Sequence, residues 1–253
     1  MHFGATLHLL RTHAGLSLRA MAGDVGVSAA YLSRVENGVD PTPTRDRAAA
    51  IARALGVPDA VVAGLVDEIR GDSADWLRAT STGRRLVAEL RQRELTEPQL
   101  ARLLAFVLRE FPADGAASSF TSALALERVL LSVRLPRLDE AWTVASLRLG
   151  VNPPHAPACC VGAGTAIAFA RGRDHPPRAC LLVCDIPVHA ESPDGDPVRV
   201  VWVLADVPDG PAGVTLLASA ARFADPSLVA RLVACPRPEA ALELLRRFER
   251  SGT

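Results

Sequence analysis

The sequence predicts a multidomain chain: an all-α head, a helical connector, and an α/β domain filling the C-terminal half. Three observations predict it. Over positions 1–69 apolar residues recur at helical spacing between capping residues. A stretch of small, polar and turn-forming residues, PADGAASS at 112–119, then breaks the pattern. Beyond it come short β-rich apolar runs of a kind that nothing earlier in the chain contains. A length of 253 residues suits one to two domains. The expected boundaries are a head at 1–69, a connector and linker at 70–119, and the α/β domain at 120–253.

The head is most legible over residues 16–38, LSLRAMAGDVGVSAAYLSRVENG. Ser17 suits the N-cap of a helix, since its hydroxyl can accept an otherwise unpaired first-turn amide. Leu18, Met21, Ala22 and Val25 then make one apolar face. Gly26 falls where the chain must turn sharply. Ser28 can cap a second helix in which Leu32 and Val35 face inward. Ala29, Ala30, Ser33 and Arg34 are left outward near its start, and Asn37-Gly38 ends it. An opening helix carries Leu7, Leu10 and Arg11. A closing helix, RAAAIARALGV, follows Pro41 and Pro43, and a last short helix runs from Pro58 to about Val66.

This ordered set, spanning about residues 3 to 66, resembles the Cro- and phage-repressor-like XRE family of helix-turn-helix DNA-binding domains. The resemblance implies that the second helix of the motif enters the major groove, where every base pair shows a distinct donor and acceptor pattern. It assigns Ala29, Ala30, Ser33 and Arg34 to base edges. Two alanines offer only methyl groups, so Arg34 is the side chain able to grip a guanine with two hydrogen bonds. Ser28 and the amides near Leu18 and Arg19 would hold phosphates, because helix N-termini attract anions. Asn37 would do the same from the loop. The resemblance also pairs Arg11 with Glu36.

Charge limits how such a head can bind. Through Leu65 it carries six arginines and five acids, and the whole chain is neutral. With so small an electrostatic footprint, affinity must come from fitted contacts and from two copies of the domain, so a homodimer is expected. The chain holds no lysine at all, which reads as GC-rich coding rather than function. Aromatic residues are 4% of the chain, so the cores should be built from Leu, Val and Ala. No run of eighteen apolar residues exists, and the N-terminus reads as folded helix. Neither a membrane span nor a signal peptide is expected. Five cysteines do not make a disulfide framework, which fits a reduced bacterial cytoplasmic protein.

In the connector, residues 70–82 turn polar and small around Trp76. Residues 82–111 read as two helices, with Thr96 and Gln99 forming a capping box and Pro98 tolerable in a first turn. Leu100, Leu103, Leu104, Val107, Leu108 and Phe111 give an apolar stripe suited to dimerisation or to packing on a neighbouring domain.

Within 120–253 a helix is expected from about Ser122 to Leu131, and another over DEAWTVASLRL. Strands are expected at 165–169, 179–186 and 198–205, then three helices, with Pro226 and Pro238 at helix starts. The strings GAGTAIAFA, ACLLVCDI, SPDGDPVRVVWVLADVPDG and GVTLLASAARFA, in that order, resemble the fructose/mannitol/nitrogen-type enzyme IIA domain of the bacterial phosphotransferase system, an α/β sandwich. That resemblance implies a phosphoacceptor histidine, yet Phe169 stands at its position. A second family histidine would fall at about Gly213. Phenylalanine has no lone pair for a phosphoryl group, so no catalytic residue is expected. His175 lies six residues beyond Phe169, in a loop.

His155, Cys159, Cys160, His175, Cys180, Cys184 and His189 crowd one region, but without the paired spacing of a zinc site. Cys180 and Cys184 share one strand face, where buried cysteine is ordinary core, and Cys159-Cys160 is the one candidate for a thiol or metal sensor. No metal and no cofactor is therefore expected. The expected function is a sequence-specific transcriptional regulator bound to double-stranded operator DNA. Its C-terminal domain would be a non-catalytic dimerisation module or the seat of a small-molecule or protein effector. The alternatives are a phosphotransfer protein and a metal- or thiol-sensing repressor.

Overall fold

A computed structural model describes residues 2–70, 81–93, 120–152, 157–173 and 175–251, with 96, 99, 102, 103 and 106 between them. The head is five helices: α1 (Phe3–His13), α2 (Leu18–Val25), α3 (Ala29–Glu36), α4 (Arg45–Leu55) and α5 (Asp59–Arg70). The caps expected for the motif form. The Ser17 hydroxyl accepts the Ala20 amide at 3.1 Å, and the Ser28 hydroxyl accepts the Tyr31 amide at 3.1 Å. Gly26 closes α2 in the left-handed conformation. Leu7, Leu10, Met21, Leu32, Val35 and Ile51 are all buried and form the head's core. Gly4 is needed because α1 crosses the end of α3 so closely that a Cβ there would overlap the carbonyls of Val35 and Glu36.

Of the connector, α6 spans Ser81–Gln92. Gln99 takes the Thr96 amide on its side-chain oxygen at 2.8 Å, the return half of the expected capping box. In the apolar stripe only Leu103, half-buried, is among the described residues. Leu100, Leu104, Val107, Leu108, Phe111, the linker 112–119, and Trp76 and Pro98 lie outside them.

The C-terminal half is an α/β domain around a five-stranded mixed sheet. Its strands are β1 (Leu124–Val133), β2 (Cys159–Gly162), β3 (Thr165–Arg171), β4 (Arg178–Val188) and β5 (Val198–Val207), in the order β1-β4-β5-β3-β2. β4 and β5 form an antiparallel pair, with β1 parallel to β4 and β3 parallel to β5. Helix α7 (Ala141–Leu149) covers one face through Trp142, Ala145 and Leu149. The other face is covered by α8 (Pro211–Arg222), α9 (Pro226–Val233) and α10 (Pro238–Ser251). The central strands are apolar on both faces because both are covered. Trp202 is fully buried on the second face, edge-on to Phe120 and Phe223 at 5.0 and 5.5 Å between ring centres.

Two expectations change. The segment expected as a helix from Ser122 to Leu131 is the edge strand β1. Its Ala, Leu, Glu and Arg content favours a helix, but hydrogen bonding to β4 and burial of Leu124 and Val129 outweigh local propensity. The pairing is irregular, slipping between Leu124 and Val129 and again between Leu130 and Val133. The second change is β2, a four-residue strand too short to show a pattern. It is joined to β3 by Ala163-Gly164, both at positive φ (52° and 64°), the backbone a tight hairpin requires.

The head and the sheet domain share one continuous core. Helix α1 lies against β2 and α8, and α5 against α8. The His2 amide donates to the Val161 carbonyl at 2.8 Å, so the residue before α1 adds a hydrogen bond to the free edge of β2.

Candidate nucleic-acid interface

Helices α2 and α3 present their first turns outward. Ser17 and Ser28 each take only one amide, at the third helical residue. The amides of Leu18, Arg19, Ala29 and Ala30 have no carbonyl partner within their helices and are placed to meet anions. Arg19, Ser28, Ala30, Arg34 and Asn37 are exposed, while Leu18, Ala29 and Ser33 are half-buried. The C-terminal domain packs against α1 and α5, and among the described residues the expected DNA-facing positions stay exposed or half-buried.

Besides the capping Ser28, Arg34 and Asn37 are engaged within the head. Arg34 donates from Nε to both carboxylate oxygens of Asp40 at 3.1 Å, and Nη2 lies 3.0 Å from Oδ2. This hydrogen-bonded partner raises the guanidinium's pKa further above its ordinary value. Asn37 turns its amide nitrogen back to the Ser33 carbonyl at 2.8 Å, closing the end of α3. Sequence reasoning missed Arg47 on α4. Its guanidinium lies 5.0 Å over the Tyr31 ring and donates to the Tyr31 hydroxyl at 3.1 Å, which places a cation beside the outer face of α3. Its only sequence signal was being one of the two arginines that open α4.

Arg11 and Glu36 come together as expected. Nε donates to Oε1 at 2.6 Å and Nη2 to Oε2 at 2.9 Å, while Nη1 donates to the Leu16 carbonyl at 2.7 Å. The hydrogen bond to Glu36 pushes the guanidinium further toward its charged form. An acid in the last turn of α3 opposes the helix dipole, and Arg11 offsets it. The pair therefore ties α1 to α3 and to the turn that starts α2.

In the C-terminal domain Phe169 lies on β3, and Gly213 is the third residue of α8. The structure brings these two positions to one place and fills the space between them with the head. The His13 ring stands edge-on to Phe169. Its Nε2–H donates to the Pro208 carbonyl at 3.1 Å, and Arg171 donates to the His13 carbonyl at 2.7 Å. A Cβ on Gly213 would overlap both the Pro208 carbonyl and the His13 imidazole. Burial and the neighbouring Arg171 cation hold His13 below its ordinary value. His175 is exposed in the loop after β3.

Cys180 and Cys184 are core, and burial pushes their thiols up to about 12 and about 11. Cys159 is likewise pushed up to about 11 by burial and by its neighbour Cys160, so these thiols stay protonated and poorly nucleophilic. Among the described residues no three His, Cys, Asp or Glu side chains converge as a metal-ligand set. None of the described helices is long and apolar enough to cross a membrane.

Fold and site together define a helix-turn-helix DNA-binding head joined to an α/β domain. A family model described as a helix-turn-helix domain matches residues 2–65. Among solved structures, the C-terminal half is similar to nitrogen regulatory protein IIA-Ntr from Neisseria meningitidis. That similarity is at 22% identity and a TM-score of 0.44, over 51% of this chain and 99% of that one. No curated protein matches the chain.

Proposed function

We propose that the protein is a sequence-specific, DNA-binding transcriptional regulator acting as a homodimer on double-stranded operator DNA. The observation that carries this is the α2–α3 pair. Its first turns and Arg34 are exposed or half-buried, left open by the other described residues. Base readout falls to Arg34 with apolar support from Ala29 and Ala30. Phosphate contacts fall to Ser28 and the amides of Leu18 and Arg19, with Arg47 added by its place beside Tyr31. The near-neutral head makes a single copy a weak binder, which is the ground for the dimer.

The C-terminal domain is read as non-catalytic, a packing and regulatory module. The position matching a phosphoacceptor is an aromatic ring under His13, and its neighbour Gly213 has no side chain. Mapping of bound genomic sites, followed by selection from random duplexes, tests the reading. The expected result is a recurrent motif with two related half-sites and a guanine whose replacement weakens binding. Equal binding to every duplex would overturn it.

A further inference from the structure

Arg34 is held by one edge only. Asp40 takes the edge formed by Nε and Nη2. The other edge, Nη1 with the remaining proton of Nη2, makes no hydrogen bond among the described residues. An arginine reads guanine by donating two parallel hydrogen bonds to N7 and O6, and the free edge is a complete fork for that purpose.

Asp40 is itself firmly placed. Gly38, at φ 71°, reverses the chain past the end of α3. The amides of Val39 and Asp40 then both donate to the Arg34 carbonyl, at 2.8 and 3.2 Å. The backbone of Arg34 thus holds the residue that grips its own side chain. The Asp40 side chain is 23% exposed and that of Arg34 50%, so the acid stands behind the cation.

We propose that Asp40 is a positioning residue for base readout, orienting Arg34 so that its free edge meets a guanine in the major groove. The inference rests on the reading of Arg34 given above, and it has two physical consequences. A long flexible side chain is ordered before DNA arrives, so less freedom is lost on binding. The carboxylate also counters Arg34's attraction to any phosphate, which weakens binding to unrelated sequences while the guanine contact is kept. Asp40 therefore acts on specificity more than on affinity.

The test uses the full chain as wild type, Arg34→Ala, Asp40→Asn, Asp40→Ala and the Arg34→Ala/Asp40→Asn double variant. The probes are the selected duplex, the same duplex with the critical guanine replaced, and an unrelated duplex. Wild type should prefer the guanine by about tenfold or more. Both Asp40 variants should lose most of that preference and bind the unrelated duplex more tightly, with unchanged thermal midpoints. On the Arg34→Ala background, Asp40→Asn should leave discrimination unaltered. In the wild-type protein the Arg34 Nε–H resonance should be exchange-protected before DNA is added. Full guanine preference in Asp40→Asn, with that preference lost in Arg34→Ala, would overturn the positioning role and leave the readout standing. Full preference in Arg34→Ala would overturn both.

Discussion

His13, the last residue of the head's first helix, meets Phe169 of the sheet domain edge-on, with ring centres 5.2 Å apart. The position where the resemblance places a phosphoacceptor is therefore part of an internal interface, and Gly213 is what lets the imidazole enter. Replacing Gly213 by Ala puts a methyl group against the Pro208 carbonyl, which is main chain and cannot swing aside. The substitution should cost about 1–3 kcal/mol, the usual range for overpacking. It should also speed amide exchange in α1. Calorimetry and hydrogen exchange measure both, and unchanged values would remove the steric argument.

The docking should weaken in acid. Burial and the Arg171 cation favour neutral His13, whose Nε2–H donates to Pro208 while Nδ1, buried, has no partner among the described residues. A second proton would sit unsatisfied beside the Arg171 cation, with the Pro208 carbonyl and Asp209 too weak to offset burial and that charge. His2, at the other end of α1, is also held below its ordinary value. Burial lowers it, Asp194 raises it and the N-terminus lowers it, and its Nδ1 must stay bare to accept the Ala5 amide. With folded values below 6.5, the unfolded or undocked chain binds more protons. Stability is then full above about pH 6.5 and falls as pH drops below it. The thermal midpoint should decline over that window, less steeply in His13→Asn. An equal decline in that variant would count against His13.

Glu36→Ala should be costly. An exposed ion pair is worth on the order of 1 kcal/mol or less. Here the side chains are 10% and 5% exposed, and removing the acid strands Arg11 among α1, α3 and the Leu16 carbonyl. The expected loss is about 3 kcal/mol in denaturant unfolding. A loss of a few tenths would mean that Arg11 finds water easily.

Arg34→Ala should reduce affinity for the selected site by about ten- to a hundredfold and relax selectivity at one base pair. Binding to unrelated duplexes should change far less. Titration of matched and mutated duplexes separates the two effects, and a uniform loss across all sequences would reduce Arg34 to a phosphate contact.

Incubation with phosphoenolpyruvate and the general phosphotransferase proteins should add no acid-labile phosphate. Phosphotransfer of this kind needs an imidazole nitrogen, and Phe169 and Gly213 supply none. Phosphate on His175 would show that the exposed loop had taken over the chemistry.

Most of the head was legible because its signals are local. Ser17, Ser28 and Gly26 act within four residues of themselves, and a cap or a turn needs no distant partner. The strands β3, β4 and β5 were equally readable, since burial on both faces makes them continuous apolar runs. β1 was not, because its composition favours a helix and only pairing with β4 makes it a strand.

The sequence by itself determined the helix-turn-helix motif, the residues on its outer face, and the absence of a nucleophile at Phe169 and Gly213. Each follows from residue type at a given spacing. Only the tertiary structure decided that Asp40 holds Arg34, that Arg47 stacks on Tyr31, and that His13 fills the space beside Phe169. The last joins residues more than 150 positions apart in the sequence. No local pattern encodes such a contact, because it depends on the shapes of two separately folded surfaces meeting.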